Sequence, residues 1–106
     1  MSATTVAELA KRFEEAWAAE KAAEHTLKAA QTPADEKPWD DAYAVTQKVV
    51  NEIEAMQATT LDGLRLKARA VQWCYGTDVI DLRCDQDTTD LRLATSIVED
   101  LLRGVA

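Results

Sequence analysis

Glycine and proline are scarce in this chain: three glycines and two prolines stand among 106 residues. A many-stranded β fold draws its turns from these two residue types, so their shortage argues against one. Histidine occurs once and cysteine twice. That supply is too thin for a structural zinc centre, and Cys74 and Cys84 lack the close paired spacing such a site uses. No apolar run reaches the length of a membrane span, and the opening stretch MSATTVAELAKRFEE turns acidic before a signal-peptide core is built. These absences predict a cytoplasmic chain with both thiols reduced, Cys74 buried and Cys84 incidental. Also missing are a Ser-His-Asp set, a glycine-rich phosphate loop and a motif of paired catalytic carboxylates. No enzymatic activity and no cofactor are read from the sequence.

Alanine, leucine, glutamate and lysine are plentiful instead, and these residues lose little on entering a helix. The length suits a single domain, residues 1–106. Nineteen acidic residues against twelve basic ones leave a formal net charge of −7. That sign is repelled by nucleic acid and by anionic membranes, and suits a protein partner with a basic surface.

Apolar residues recur at helical spacing in four segments. Over residues 5–30 the seam is Val6, Leu9, Phe13, Ala16, Ala23, Leu27 and Ala30, with Trp17 beside it and Glu20 at a core position. Gln31 to Pro38, QTPADEKP, reads as a turn, because proline cannot continue a helix interior and biases Lys37 away from helical geometry. A second helix follows over 39–57, with Trp39, Ala42, Thr46, Val49, Ile53 and Met56 widened by Tyr43 and Val50. So short a loop makes 5–57 an antiparallel αα-hairpin.

The stretch Thr59 to Gly76, TTLDGLRLKARAVQWCYG, reads as the central helix. Thr59 and Asp62 supply a start signal, and Gly76 supplies the stop. Leu61, Leu64, Ala68, Val71 and Tyr75 mark one face; Leu66, Ala70 and Trp73 mark another. A helix apolar on two faces is packed from both sides, which predicts that Leu64, Ala68 and Val71 are almost fully buried. The following TDVIDLRCDQD is expected to be irregular, with Ile80 and Leu82 plugging the core. Asp87, Thr88 and Thr89 offer caps for a last helix over 89–103, whose apolar face is Leu91, Ala94, Ile97, Val98, Leu101 and Leu102 before Gly104. The expected fold is all-α: an antiparallel αα-hairpin followed by two further helices in a small four-helix domain.

Chemistry-bearing residues are few. His25 falls on the outer face of the first helix and reads as a surface residue. Asp85, Asp87 and Asp90 form D-x-D-x-x-D, but the glycine and glutamate of a calcium-binding loop are missing, so no metal site is expected. The densest single-sign patch is Asp78, Asp81, Asp85, Asp87 and Asp90 against a lone Arg83. A second surrounds the first turn: Asp35, Glu36, Asp40 and Asp41, beside Trp39. Charged patches steer and select partners, and an exposed tryptophan anchors them. The candidate partner-binding residues are therefore Asp78, Asp81, Asp85, Asp87, Trp39, Asp40 and Asp41.

Thr59, Thr60, Gly63, Leu64, Lys67, Ala68 and Ala70 spell TT-x-x-GL-x-x-KA-x-A. This segment resembles one found in short helical bacterial proteins encoded in phage-like gene neighbourhoods. The likeness covers the second half of the chain and extends to the first half in composition only. That family has no assigned activity, so the resemblance implies a phage or mobile-element accessory protein and carries over no site residue. The expected function is a non-enzymatic interaction module. It binds and inhibits a host nucleic-acid-handling protein, a nuclease or effector complex, as anti-CRISPR proteins and DNA mimics do. The alternative is a structural helical protein that self-associates as a homodimer through the hairpin.

Overall fold

The computed structural model describes residues 5–29, 37–76, 78–83 and 87–104. Its elements are α1 (Val6–Ala29), α2 (Lys37–Ala55), α3 (Leu61–Tyr75) and α4 (Thr89–Arg103), with no strand among the described residues. The fold is all-α, with α1 and α2 packed as a hairpin and two helices following. The chain forms two compact units, Met1–Asn51 and Glu52–Ala106, the division falling inside α2.

In the first unit, α1 opens on a reciprocal cap. The Glu8 N–H donates to the Thr5 hydroxyl at 3.1 Å, and the Thr5 N–H donates back to the Glu8 carboxylate at 3.3 Å. Two otherwise orphaned backbone donors are satisfied in this way. Leu9, Phe13, Ala16 and Trp17 are buried, and so is Glu20. The Phe13 and Trp17 rings lie tilted with centroids 5.6 Å apart, and the Lys21 ammonium stands 4.2 Å from the Trp17 ring centroid. That charge covers the outer face of a large apolar ring and is attracted to its π cloud.

The expectation for Lys37 is corrected. It is helical, and Pro38 lies in the first turn of α2. Amide groups of a first turn have no partner within the helix, so the N–H that proline lacks is not missed there. Thr46, Val49 and Val50 are buried as the spacing implied, whereas Tyr43 is exposed. Residues 30–36, most of the expected turn, lie outside the described residues, as do the side chains of Leu27 and Ala30.

In the second unit, α3 packs against α4. The cap of α3 is Thr60, not Thr59: its hydroxyl accepts the Gly63 N–H at 3.4 Å. Gly63 is needed for a close approach, since a Cβ there would stand 2.9 Å from the Cβ of Ala58. Gly76 ends the helix at φ 60°, with its N–H on the Gln72 and Trp73 carbonyls.

Leu64, Leu66, Ala70, Val71 and Trp73 are buried, but Ala68 and Leu61 are exposed. Those buried residues lie where foreseen; the corrections are at Leu61 and at Ala68, in whose place Lys67 is buried. The last helix has its expected bounds and its expected Gly104 end. Its expected face is wrong, however. Leu93 and Asp100 are buried, while Val98, Leu101 and Leu102 are exposed and Leu91, Ala94 and Ile97 are half-buried. Two polar side chains of α4, Ser96 and Asp100, bind Lys67 and fix this orientation.

Residues 78–83 are irregular, as expected, but they do not plug the core. Val79, Ile80 and Leu82 are all exposed. Among the described residues, no helix is long and apolar enough to cross a membrane.

Candidate functional site

The acidic segment lies between Gly76, which stops α3, and Thr89, where α4 starts, and its described residues 78–83 are irregular. Tyr75, the last residue of α3, ties the middle of the segment to the first turn of α4. Its hydroxyl lies against the Asp81 carbonyl and donates to the Asp90 carboxylate at 2.6 Å. The bond to Asp90 favours the neutral phenol and pushes Tyr75 up to about 12. At neutral pH this hydroxyl therefore remains a donor.

Local partners reduce the single-sign character of the segment. The Asp81 carboxylate accepts from the Arg83 guanidinium at 2.9 and 3.0 Å and from the Arg83 N–H at 3.0 Å. This guanidinium beside Asp81 holds its carboxyl below the usual value. Both residues are exposed, so the pair is screened by water and adds little to stability. Arg92, in the first turns of α4, lies between Asp87 at 3.2 Å and Glu54 at 2.9 Å. Asp78 is exposed, and Asp85 lies outside the described residues.

Of the other expected contact residues, Asp40 and Asp41 are exposed in the first turns of α2, and Trp39 is half-buried. The Trp39 ring lies tilted on Tyr43, centroids 5.6 Å apart. These three belong to the first unit, and Asp78, Asp81 and Asp87 to the second.

Three residues to which the sequence reading gave no site role, Lys67, Ser96 and Asp100, form a hydrogen-bonded polar cluster. Lys67 is 0% exposed and Asp100 is 2% exposed. The Lys67 ammonium donates to the Asp100 carboxylate at 2.5 Å and to the Ser96 hydroxyl at 2.6 Å. Ser96 in turn donates to the Glu54 carbonyl at 3.2 Å, at the open end of α2. The Asp100 carboxylate also accepts the Ala58 N–H at 3.0 Å and the Arg103 guanidinium at 2.7 Å. The turn between α2 and α3 is thus pinned to α4 through backbone groups that helix ends leave unpaired. Burial pushes the Asp100 carboxyl up, but hydrogen bonds from Lys67, Ala58 and Arg103 outweigh it and hold it below the ordinary carboxylate value. One signal in the sequence pointed here: Lys67 stands at helical spacing from Gly63, Leu64, Ala70 and Val71, all of them buried.

Cys74 departs from its expected burial and is exposed. Neighbouring groups still desolvate its sulfur, and with Asp90 near they push the thiol up to about 11. The thiolate, which is the nucleophilic form, is therefore sparse at neutral pH. His25 is exposed on α1. Among the described residues, no group of three His, Cys, Asp or Glu side chains is placed to hold a metal ion.

No family model, curated protein or solved structure matches this chain. Its own geometry gives the TT-x-x-GL-x-x-KA-x-A segment a folding role. Thr60 caps, Gly63 admits the approach of Ala58, Leu64 and Ala70 pack, and Lys67 forms the buried ion pair.

Proposed function

We propose that this chain is a non-enzymatic interaction module, an accessory protein of a phage or mobile element. On this reading it binds the basic surface of a host nucleic-acid-handling protein and inhibits it. One observation carries the reading: the acidic segment between α3 and α4 is exposed at Asp78, Asp81 and Asp87, on irregular backbone held by Tyr75. Binding residues favour loops held on a rigid scaffold. The net charge of −7 supports a basic protein partner and disfavours direct contact with DNA or RNA. The carboxylates of the segment imitate phosphates to such a partner, while Arg83 and Arg92 limit how many are free to do so.

The test is inhibition of a basic RNA-guided nuclease. Wild-type protein inhibits cleavage, and inhibition weakens as salt rises past ~0.15 M, where the screening length is about 8 Å. Asp78→Asn/Asp81→Asn keeps its helicity, because exposed carboxylates contribute little to stability, and inhibits less. Equal potency of wild type and variant at every salt concentration removes the segment from the site.

A further inference from the structure

Residues 78–83 have no hydrophobic anchor. Val79 is 88% exposed, Ile80 48% and Leu82 41%, so the segment buries none of its apolar side chains. The fork between Arg83 and Asp81 lies inside the segment and fastens it to nothing beyond itself. Among the described residues, the hydrogen bonds that reach the segment from a helix come from Tyr75. The Asp78 N–H donates to the Tyr75 carbonyl at 2.9 Å, and the Tyr75 hydroxyl reaches the Asp81 carbonyl six positions on. The same hydroxyl donates to the Asp90 carboxylate. A phenol has one proton, so the two acceptors share it.

We propose that Tyr75 is a clasp: its hydroxyl keeps residues 78–83 ordered as a unit that opens by itself while α3 and α4 stay folded. The ground is where the stabilisation lies. The two helices are held by buried side chains and by the Lys67–Asp100 pair, none of which belongs to the segment. The segment loses chain entropy on ordering, and only polar contacts oppose that loss. Regions with few buried apolar contacts open at far lower free energy than the core around them. Remove the phenol oxygen, and the Asp78 N–H bond alone is left to hold the segment to α3.

Asp90 sets where the oxygen sits, but the grip on the segment is the Asp81 carbonyl. A neutral side chain at position 90 competes less for the proton and leaves more of it to that carbonyl. For the interaction role proposed above, on which this consequence alone rests, the clasp holds Asp78 and Asp81 in one arrangement before a partner arrives, so less order is lost on binding. The clasp itself acts in the free chain, and its test involves no partner.

Backbone ¹⁵N relaxation and limited trypsin digestion of the full chain compare wild type with Tyr75→Phe. In the wild type, order parameters over residues 78–83 are expected near the rigid-backbone value of about 0.85; in Tyr75→Phe they fall below about 0.6, while those of α3 and α4 do not change. Cleavage after Arg83 follows the population of the open segment and quickens roughly fivefold, the scale of one lost hydrogen bond. Asp90→Asn keeps the hydroxyl and loosens the segment less than Tyr75→Phe does. Wild-type order parameters already below about 0.6 overturn the proposal, as does a Tyr75→Phe segment no looser than that of the wild type. A Tyr75→Phe chain that loosens α3 and α4 along with the segment, or loses its helicity, overturns it too, because Tyr75 then supports the fold at large. So does an Asp90→Asn segment as loose as that of Tyr75→Phe.

Discussion

Replacing Asp100 by alanine should be among the most damaging single changes in the second unit. The substitution removes the carboxylate that the Lys67 ammonium faces at 2.5 Å in a site with no solvent access to the lysine. It also orphans the Ala58 N–H, which has that carboxylate 3.0 Å away. Breaking a buried pair by deleting one partner costs about 3–5 kcal/mol, because a charge is left buried without its counterion. A domain of this size holds only about 5–15 kcal/mol in total. Each kcal/mol moves the melting midpoint of a domain near 100 residues by roughly 4–8 °C, so a fall of at least about 12 °C is expected. Lys67→Met should cost less, since Asp100 keeps Arg103 and the Ala58 N–H. The double variant Lys67→Met/Asp100→Ala removes both charges and should be less damaged than the two single changes added together, by more than about 1 kcal/mol. Thermal and urea melts followed by circular dichroism give all three values. The same pair sets a pH dependence. Asp100 has a folded pKa below that of the unfolded chain, so it binds protons more readily once unfolded. Its contribution is therefore complete well above the unfolded value of about 3.9 and is lost as pH falls through the folded value. Asp100→Asn should lack this acid-side loss. A midpoint for Asp100→Ala within a few degrees of wild type, or strict additivity in the double variant, would refute the role given to the pair.

Ala68→Asp should cost no more than about 1 kcal/mol, the scale of a helix-propensity change, because Ala68 is exposed. Ala70→Asp should cost several kcal/mol, because Ala70 is 0% exposed and the new carboxylate has no partner. Comparable melts for the two variants would disprove the face assigned to α3. Gly63→Ala gains up to about 1 kcal/mol in helix propensity but brings a Cβ within 2.9 Å of Ala58, so a net loss of about 1–3 kcal/mol is expected; a stabilised variant contradicts the close approach. In a Cys84→Ser background, alkylation of Cys74 should be slow at pH 7–8 and accelerate toward pH 11, following the raised thiol pKa; a plateau reached by pH 9 counts against its desolvation.

Where helices lie, and where they stop, is written locally. The seam of α1 from Leu9 to Trp17, the stop at Gly76 and the bounds of α4 follow from periodicity and from residues within a turn of each helix end. Backbone capping needs no distant partner, so such signals are legible in the chain itself. The all-α fold and its hairpin follow from the same information. The acidic segment was legible too, although Arg83 and Arg92 temper it and its part in binding rests on experiment.

Facing, by contrast, was decided by tertiary structure. A stripe of apolar residues says that some side of a helix avoids water, under the assumption that charges point outward. Lys67 and Asp100 break that assumption together: each alone is prohibitive to bury, and only their contact across α3 and α4 makes both burials tolerable. On α3 that one non-local pair buries Lys67 instead of Ala68 and leaves Leu64, Leu66, Ala70, Val71 and Trp73 buried as the spacing implied. It also turns α4 so that Leu93 and Asp100 go inward while Val98, Leu101 and Leu102 remain in water. The spacing of Lys67 from Gly63, Leu64, Ala70 and Val71 hints at its burial, but the apolar periodicity of α4 does not single out Asp100, because the energy that decides both belongs to the pair.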